Sequence, residues 1–209
     1  MSGPLHSIDA LTRVRNALRS IADPPSPPGW NSADLTDLFE PGQVMRSAAV
    51  LVPIIERGAG PSVLFTRRTD DLRHHAGQVS FPGGQSDPDD VDASATALRE
   101  LHEETGITQE FVDPIGWLDS FDTVSGFCVT PLVATVRSGF KLTPDPVEVA
   151  EIFEVPLEYI LAPDRLQKHS LQWRGRLREI VEFDYQGNRV WGATAAILQN
   201  LIQRMEKLP

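Results

Sequence analysis

Apolar positions along this chain follow two periods, and each predicts its own kind of element. Leu11, Val14, Leu18 and Ile21 fall at helical intervals and predict a helix over 7–22. Ala196, Ile197, Leu201 and Met205 form a second such stripe, which predicts a closing helix over 193–207. Dense apolar runs at 48–55 and 62–66, joined by a glycine-containing turn, predict strands, and 116–118 and 129–136 predict two more. A further helix is expected before Gly106, a residue suited to the left-handed conformation that ends helices. On it Glu100, Glu103 and Glu104 sit at i, i+3 and i+4 and share one face, with Ala95 and Leu98 expected to turn the opposite way, to the core. Helices interleaved with strands in this way imply an α/β fold with helices around a central mixed β-sheet. The run Asp-Pro-Pro-Ser-Pro-Pro-Gly at 23–29 breaks the first helical pattern into an extended linker. Residues 1–45 therefore read as an N-terminal helix and proline-rich lead-in, and 46–209 as the domain proper. The helix is expected to serve packing or dimer contact.

Composition narrows the class. A chain of 209 residues can bury a sizeable core, and no internal repeat asks for a second domain. No apolar run approaches the length of a membrane span, and the start lacks the charged-then-apolar order of a secretory signal. The lone cysteine, Cys128, cannot build an internal disulfide and fits a reducing cytoplasm, as a small apolar filler beside a strand. A formal net charge of −10 argues against a general nucleic-acid surface, which needs basic residues to displace counterions.

The chemistry concentrates in 81–107. Three carboxylates on one helical face repel one another unless a cation joins them. Oxygen ligands without cysteine or histidine favour Mg²⁺ or Mn²⁺, ions that keep positions open for water and phosphate oxygens. A single Glu-rich helix is ordinarily a solvated face, with Arg99 and Glu103 as a plain i, i+4 pair. Here it is framed by Phe81-Pro82-Gly83-Gly84 before and Thr105-Gly106-Ile107 after, so turn, carboxylate face and stop signal agree. Arg67, Arg68, Arg73, His74 and His75 lie just upstream; singly each is a surface cation, but as a cluster they suit a phosphate in an otherwise acidic chain. The two histidines lack a paired Cys or His spacing, which disfavours zinc.

The segment Arg99-Glu100-Leu101-His102-Glu103-Glu104-Thr105-Gly106-Ile107 resembles the second half of the Nudix box, the loop-helix-loop that carries the metal in hydrolases of nucleoside diphosphates linked to another group. The first half departs, since Gly84 and Arg99 stand one residue further apart than in the common form and Asp89, Asp90 and Val91 occupy the place of the early glutamate. Upstream, 64–84 resembles the signature of the coenzyme A pyrophosphatase branch, with Phe65 in place of its second leucine. The spacing of Asp87, Pro88 and Asp90 is similar to that branch too, as are Ser125-Gly126-Phe127, Phe153-Glu154-Val155-Pro156-Leu157 and Val190-Trp191-Gly192-Ala193-Thr194-Ala195, so the likeness spans roughly 46–200.

The resemblance implies an α/β/α Nudix sandwich and hydrolysis of coenzyme A or acyl-coenzyme A to adenosine 3′,5′-bisphosphate and (acyl-)4′-phosphopantetheine. It implies Mg²⁺ or Mn²⁺ on Glu100, Glu103, Glu104 and the Gly83 carbonyl, with Arg99 orienting the carboxylates. The general base is left among the box glutamates Glu103 and Glu104 and the later acids Glu148 and Glu151, and substrate contacts are expected from Arg67, Arg68, Arg73, Gln78 and Ser80. A homodimer follows by analogy. Two other readings stand beside it: a Nudix pyrophosphatase for NADH, ADP-ribose or a nucleotide sugar, and a non-catalytic ligand-binding or regulatory domain.

Overall fold

The long apolar runs of the sequence become neighbours in one mixed sheet. A computed structural model describes residues 4–40, 42–70, 77–173 and 175–208. In chain order the elements are α1 (Pro4–Ala17), β1 (Arg46–Ile55), β2 (Ser62–Arg68), β3 (Val79–Ser80), β4 (Gly83–Gln85), α2 (Ala93–Thr105), β5 (Val112–Trp117), β6 (Phe121–Asp122), β7 (Phe127–Val136), β8 (Val149–Pro156), α3 (Leu157–Leu161), β9 (Gln167–Trp173), β10 (Arg176–Tyr185), β11 (Asn188–Trp191) and α4 (Ala193–Glu206). The main sheet runs β3-β2-β1-β7-β5, with β4 added to β1, β6 to β7 and β8 to β2, while β9, β10 and β11 form a smaller sheet. β1 and β7 pair in parallel along their full length, and β1 meets β2 and β4 antiparallel, so the sheet is mixed as expected.

Strand alternation divides the core in two. Along β2, Val63 and Phe65 point to the face covered by α1, α3, α4 and β10, whereas Leu64 points to the face covered by α2. Phe65 stacks on Phe81 and Phe153 in the first cluster, and Ala97 and Leu101 of α2 fill the second.

Three expectations are corrected. The first helix spans Pro4–Ala17 and does not reach 22, because Arg19 leaves it to exchange backbone hydrogen bonds with Trp117; Ile21 is exposed as a result. The face of α2 is turned in part from that expected, for Leu98 packs against the core and Ala95 does not. Thr96, Ala97, Leu101, Glu104 and Thr105 are its buried residues, while Ala95 is half-exposed and Leu98 packs against the core only in part, so Glu104 shares the core-facing stripe. The glycines Gly83 and Gly84 form a short strand against β1 and no free turn. Among the described residues no helix is long and apolar enough to cross a membrane.

Candidate active site

The site is built where α2 packs over β1 and β4 and Glu104 reaches Thr66 of β2. Asp92 caps the helix by accepting from Ala95 N at 2.8 Å, and Gly106 closes it at φ 76° with its N–H on His102 O. The last carbonyls of α2 are met from a following loop: Thr143 N donates to Thr105 O at 2.8 Å and Asp145 N to Glu104 O at 3.3 Å. The same loop is tied to β2 by Thr69, which donates to Glu148 O and Val147 O, and this fixes Glu148 beside the carboxylate helix. A Cβ at Gly106 would lie 2.9 Å from Thr143 Cβ. Gly106→Ala should therefore lower the unfolding free energy by about 1–2 kcal/mol, since it meets both a left-handed backbone and this contact; a urea titration against the parent checks it.

The two glycines of β4 allow close approach. A Cβ on Gly83 would lie 2.6 Å from Ala49 O, and one on Gly84 would collide with the Glu100 carboxylate. The helix can thus lay Glu100 and Glu104 against the strand. Glu104 is 4% exposed; its Oε1 accepts from Gly83 N at 3.2 Å and its Oε2 from Thr66 Oγ1 at 2.9 Å. Burial pushes its pKa up to about 7, opposed by those two donors and by the nearby Arg68. Glu100 is also raised by burial, with Arg99 opposing and the charges of Glu103 and Glu148 adding to the rise.

Arg99 organises the rest. It forms a fork on Asp90, Nε to Oδ1 at 3.1 Å and Nη2 to Oδ2 at 2.9 Å, and Nη1 reaches both Glu100 and Glu103 at 2.9 Å. The spacing of Asp87, Pro88 and Asp90 now has a reason. Asp90 Oδ2 accepts from Asp87 N and from Thr96 Oγ1, so the turn presents the carboxylate to Arg99 and holds its pKa well below the usual range, chiefly through that guanidinium.

The remaining expected residues separate by strand face. Ser80 lies opposite Thr66, their hydroxyl oxygens 3.4 Å apart, on the carboxylate side. Arg68 shares that side; its Nη2 is 3.5 Å from Glu148, and its buried Nε has no hydrogen-bond partner among the described residues. Arg67, one residue earlier, alternates to the other face, where it pairs with Glu151 at 3.1 Å. Glu148 is therefore brought to the carboxylates and Glu151 is not. Gln78 precedes β3, where its carbonyl accepts from Arg68 N. Arg73, His74 and His75 lie outside the described residues. Thr66 was not foreseen, although its place two residues after the core-facing Leu64 is the signal that would have found it.

The donor set is hard oxygen, from the carboxylates of Glu100 and Glu104. Among the described residues no three acidic, histidine or cysteine side chains converge as a closed cage, and Glu103, 55% exposed, turns to Arg99. Two desolvated carboxylates still short of positive charge fit a hydrated Mg²⁺-like ion, which is usually held through one or two carboxylates and completed by water and phosphate oxygens. Cys128 takes no part: it is buried in β7, and burial with Asp122 beside it pushes its thiol up to about 12.

A family model for the NUDIX domain matches residues 45–175. A Photorhabdus laumondii protein named uncharacterized Nudix hydrolase NudL is 42% identical over 161 residues, covering 77% of this chain and 86% of that protein. A protein of the same name from Pectobacterium atrosepticum is 43% identical over 171 residues, covering 82% and 88%. Among solved structures, the Nudix hydrolase RenU of M. smegmatis aligns with a TM-score of 0.52 at 18% identity, over 80% of this chain and 89% of that one, a likeness of fold.

Proposed function

The chain belongs to the Nudix family of hydrolases, and on that premise we propose that it splits the diphosphate of coenzyme A or an acyl-coenzyme A with the help of Mg²⁺ or Mn²⁺. The observation that carries this reading is the buried, raised Glu104 beside half-buried Glu100, with Arg68 close by. Carboxylates only partly compensated by Arg99, next to a partly unpaired guanidinium, suit a substrate that brings both cations and phosphate oxygens. The coenzyme A assignment is supported by the sequence likeness over 64–84 and by the Asp87-Pro88-x-Asp90 turn that completes the lengthened box.

In this reading Glu100, Glu104, the Gly83 carbonyl and Glu103 would hold the cation. A divalent cation there supplies neutralisation of phosphate charge. Arg68 and Ser80 meet the phosphate oxygens. Glu148, held beside Glu100 by its tied loop, accepts the proton of the attacking water as its oxygen bonds to phosphorus and the bridging P–O bond breaks. Arg99 orients carboxylates and does not contact substrate.

The test is Mg²⁺- or Mn²⁺-dependent hydrolysis of coenzyme A, acetyl-coenzyme A, dephospho-coenzyme A, NADH and ADP-ribose, with products identified by mass. Adenosine 3′,5′-bisphosphate is expected from coenzyme A. Dephospho-coenzyme A should lose about 10- to 100-fold in kcat/KM, the value of charge-assisted hydrogen bonds to the missing 3′-phosphate. Preference for NADH or ADP-ribose would keep the diphosphate chemistry and discard coenzyme A. Folded protein with no turnover on any of the five would overturn the proposal in favour of a ligand-binding domain.

A further inference from the structure

Thr66 sits in a stretch of β2 where Val63, Leu64 and Phe65 are all apolar and buried, and it is itself 0% exposed. A hydroxyl placed there must find a partner or destabilise the fold. Its Oγ1 is 2.9 Å from Glu104 Oε2 and 3.4 Å from Ser80 Oγ. An ionised carboxylate only accepts, so Thr66 donates to Glu104, and the Ser80 hydroxyl is left to donate to Thr66. The backbone N–H of Gly83 holds the other Glu104 oxygen. One donor on each oxygen fixes the plane of the carboxylate and leaves one lone pair on each free. The donor itself is stiff: a β-branched residue in a strand interior has a restricted χ1, and the register that sets Thr66 opposite Ser80 fixes its direction.

We infer that Thr66 is a positioning residue that aims the Glu104 carboxylate at the divalent cation through its hydroxyl, an inference that rests on the metal-dependent reading above. Loss of such an outer partner of a ligand typically weakens metal affinity or activity about 10- to 100-fold.

The experiment compares Thr66→Val, which keeps the shape and removes the hydroxyl, with Thr66→Ser, which keeps the hydroxyl and removes the methyl. Thr66→Ala is added, since it differs from Thr66→Ser only in the hydroxyl and decides the question if the valine variant fails to fold. Mn²⁺ is titrated into chelator-stripped protein and free Mn²⁺ is read by EPR; kcat and KM follow on the substrate the parent prefers. The expected result is an Mn²⁺ Kd weakened about 10-fold or more in the valine and alanine variants, with kcat falling alongside and KM changing little. The serine variant should stay within about 3-fold of the parent, which a purely packing role would not produce. Parent-like Mn²⁺ affinity in folded Thr66→Val, or a serine variant as impaired as the alanine one, would overturn the inference. If the parent binds Mn²⁺ but turns over none of the five substrates, the substrate proposal falls while the affinities still decide Thr66. If the parent binds no Mn²⁺, both fall together.

Discussion

Glu104→Gln is expected to lower kcat by about 10²- to 10³-fold while leaving the metal-free protein at least as stable as the parent. The two halves of that expectation have one cause. Glu104 lies on the core-facing stripe of α2 with Ala97 and Leu101, and burial outweighs its two hydrogen bonds to leave the pKa near 7. An acid whose folded pKa is raised binds its proton more tightly when folded. Stability in the metal-free protein therefore falls as pH rises from the ordinary value of 4.5 to about 7, and stays reduced above that. A glutamine of the same shape accepts from Gly83 N through its carbonyl oxygen and donates from its amide to Thr66 Oγ1, whose hydroxyl can turn to Ser80, and it removes the buried charge. Melting of the metal-free proteins at pH 8 should place the variant level with the parent or above it, the difference being on the order of 3 kcal/mol at most. Adding Mn²⁺ should then raise the parent's Tm and move the variant's much less, because ligand binding stabilises only where the site is intact. A variant that keeps parent-like kcat, or that melts well below the parent without metal, would remove Glu104 from the role proposed.

This burial also explains what could be read from the sequence. The strands at the centre of the sheet, β1, β2 and β7, are long apolar runs buried on both faces, and such runs are legible without knowing the partner. β9 and most of β10 are not: Lys168, His169 and Ser170 are exposed, so the strand's only signature is its pairing with β10. β3 and β4 are two and three residues long and exist through their register with β2 and β1.

The carboxylate helix was legible as an element and its phase was not. Alanines, threonines and one leucine on either side give α2 little apolar contrast, and glutamate is ordinarily assigned to solvent. The burial of Glu104 depends on Thr66 and Gly83, 38 and 21 residues away, which no local period encodes. Arg67 and Arg68 are equivalent as cations in a sequence; only strand alternation sends one to Glu148 and the other to Glu151. The partner of Arg99 likewise emerges from a turn that brings Asp90 back nine residues.

That partner carries the second large effect. Arg99→Lys should reduce kcat by about 10- to 100-fold, and Arg99→Ala by at least as much, without either touching substrate. One planar guanidinium serves Asp90 as a fork and Glu100 and Glu103 through Nη1. A lysine is a point charge on a flexible stem and cannot reproduce that geometry. Unlike Glu104→Gln, both variants should lower Tm: Arg99→Ala leaves the Asp90 side chain, 8% exposed, without its counter-ion and two glutamates unscreened, and Arg99→Lys keeps a charge but loses the fork on Asp90. The pH dependence is opposite as well. The Asp90 pKa is depressed when folded, so its contribution is complete above the ordinary 3.8 and is lost as pH falls toward the folded value. The Tm gap between the parent and Arg99→Ala should be widest near pH 8, narrow on acidification as the unscreened Glu100 takes up a proton, and close below pH 4 as Asp90 does, read by thermal melts of the metal-free proteins across that range. A gap that widens on acidification would contradict the Asp90–Arg99 fork as its source. Two variants on one helix that both suppress turnover yet move stability in opposite directions would separate the residue whose charge the fold tolerates from the residue that makes that charge tolerable.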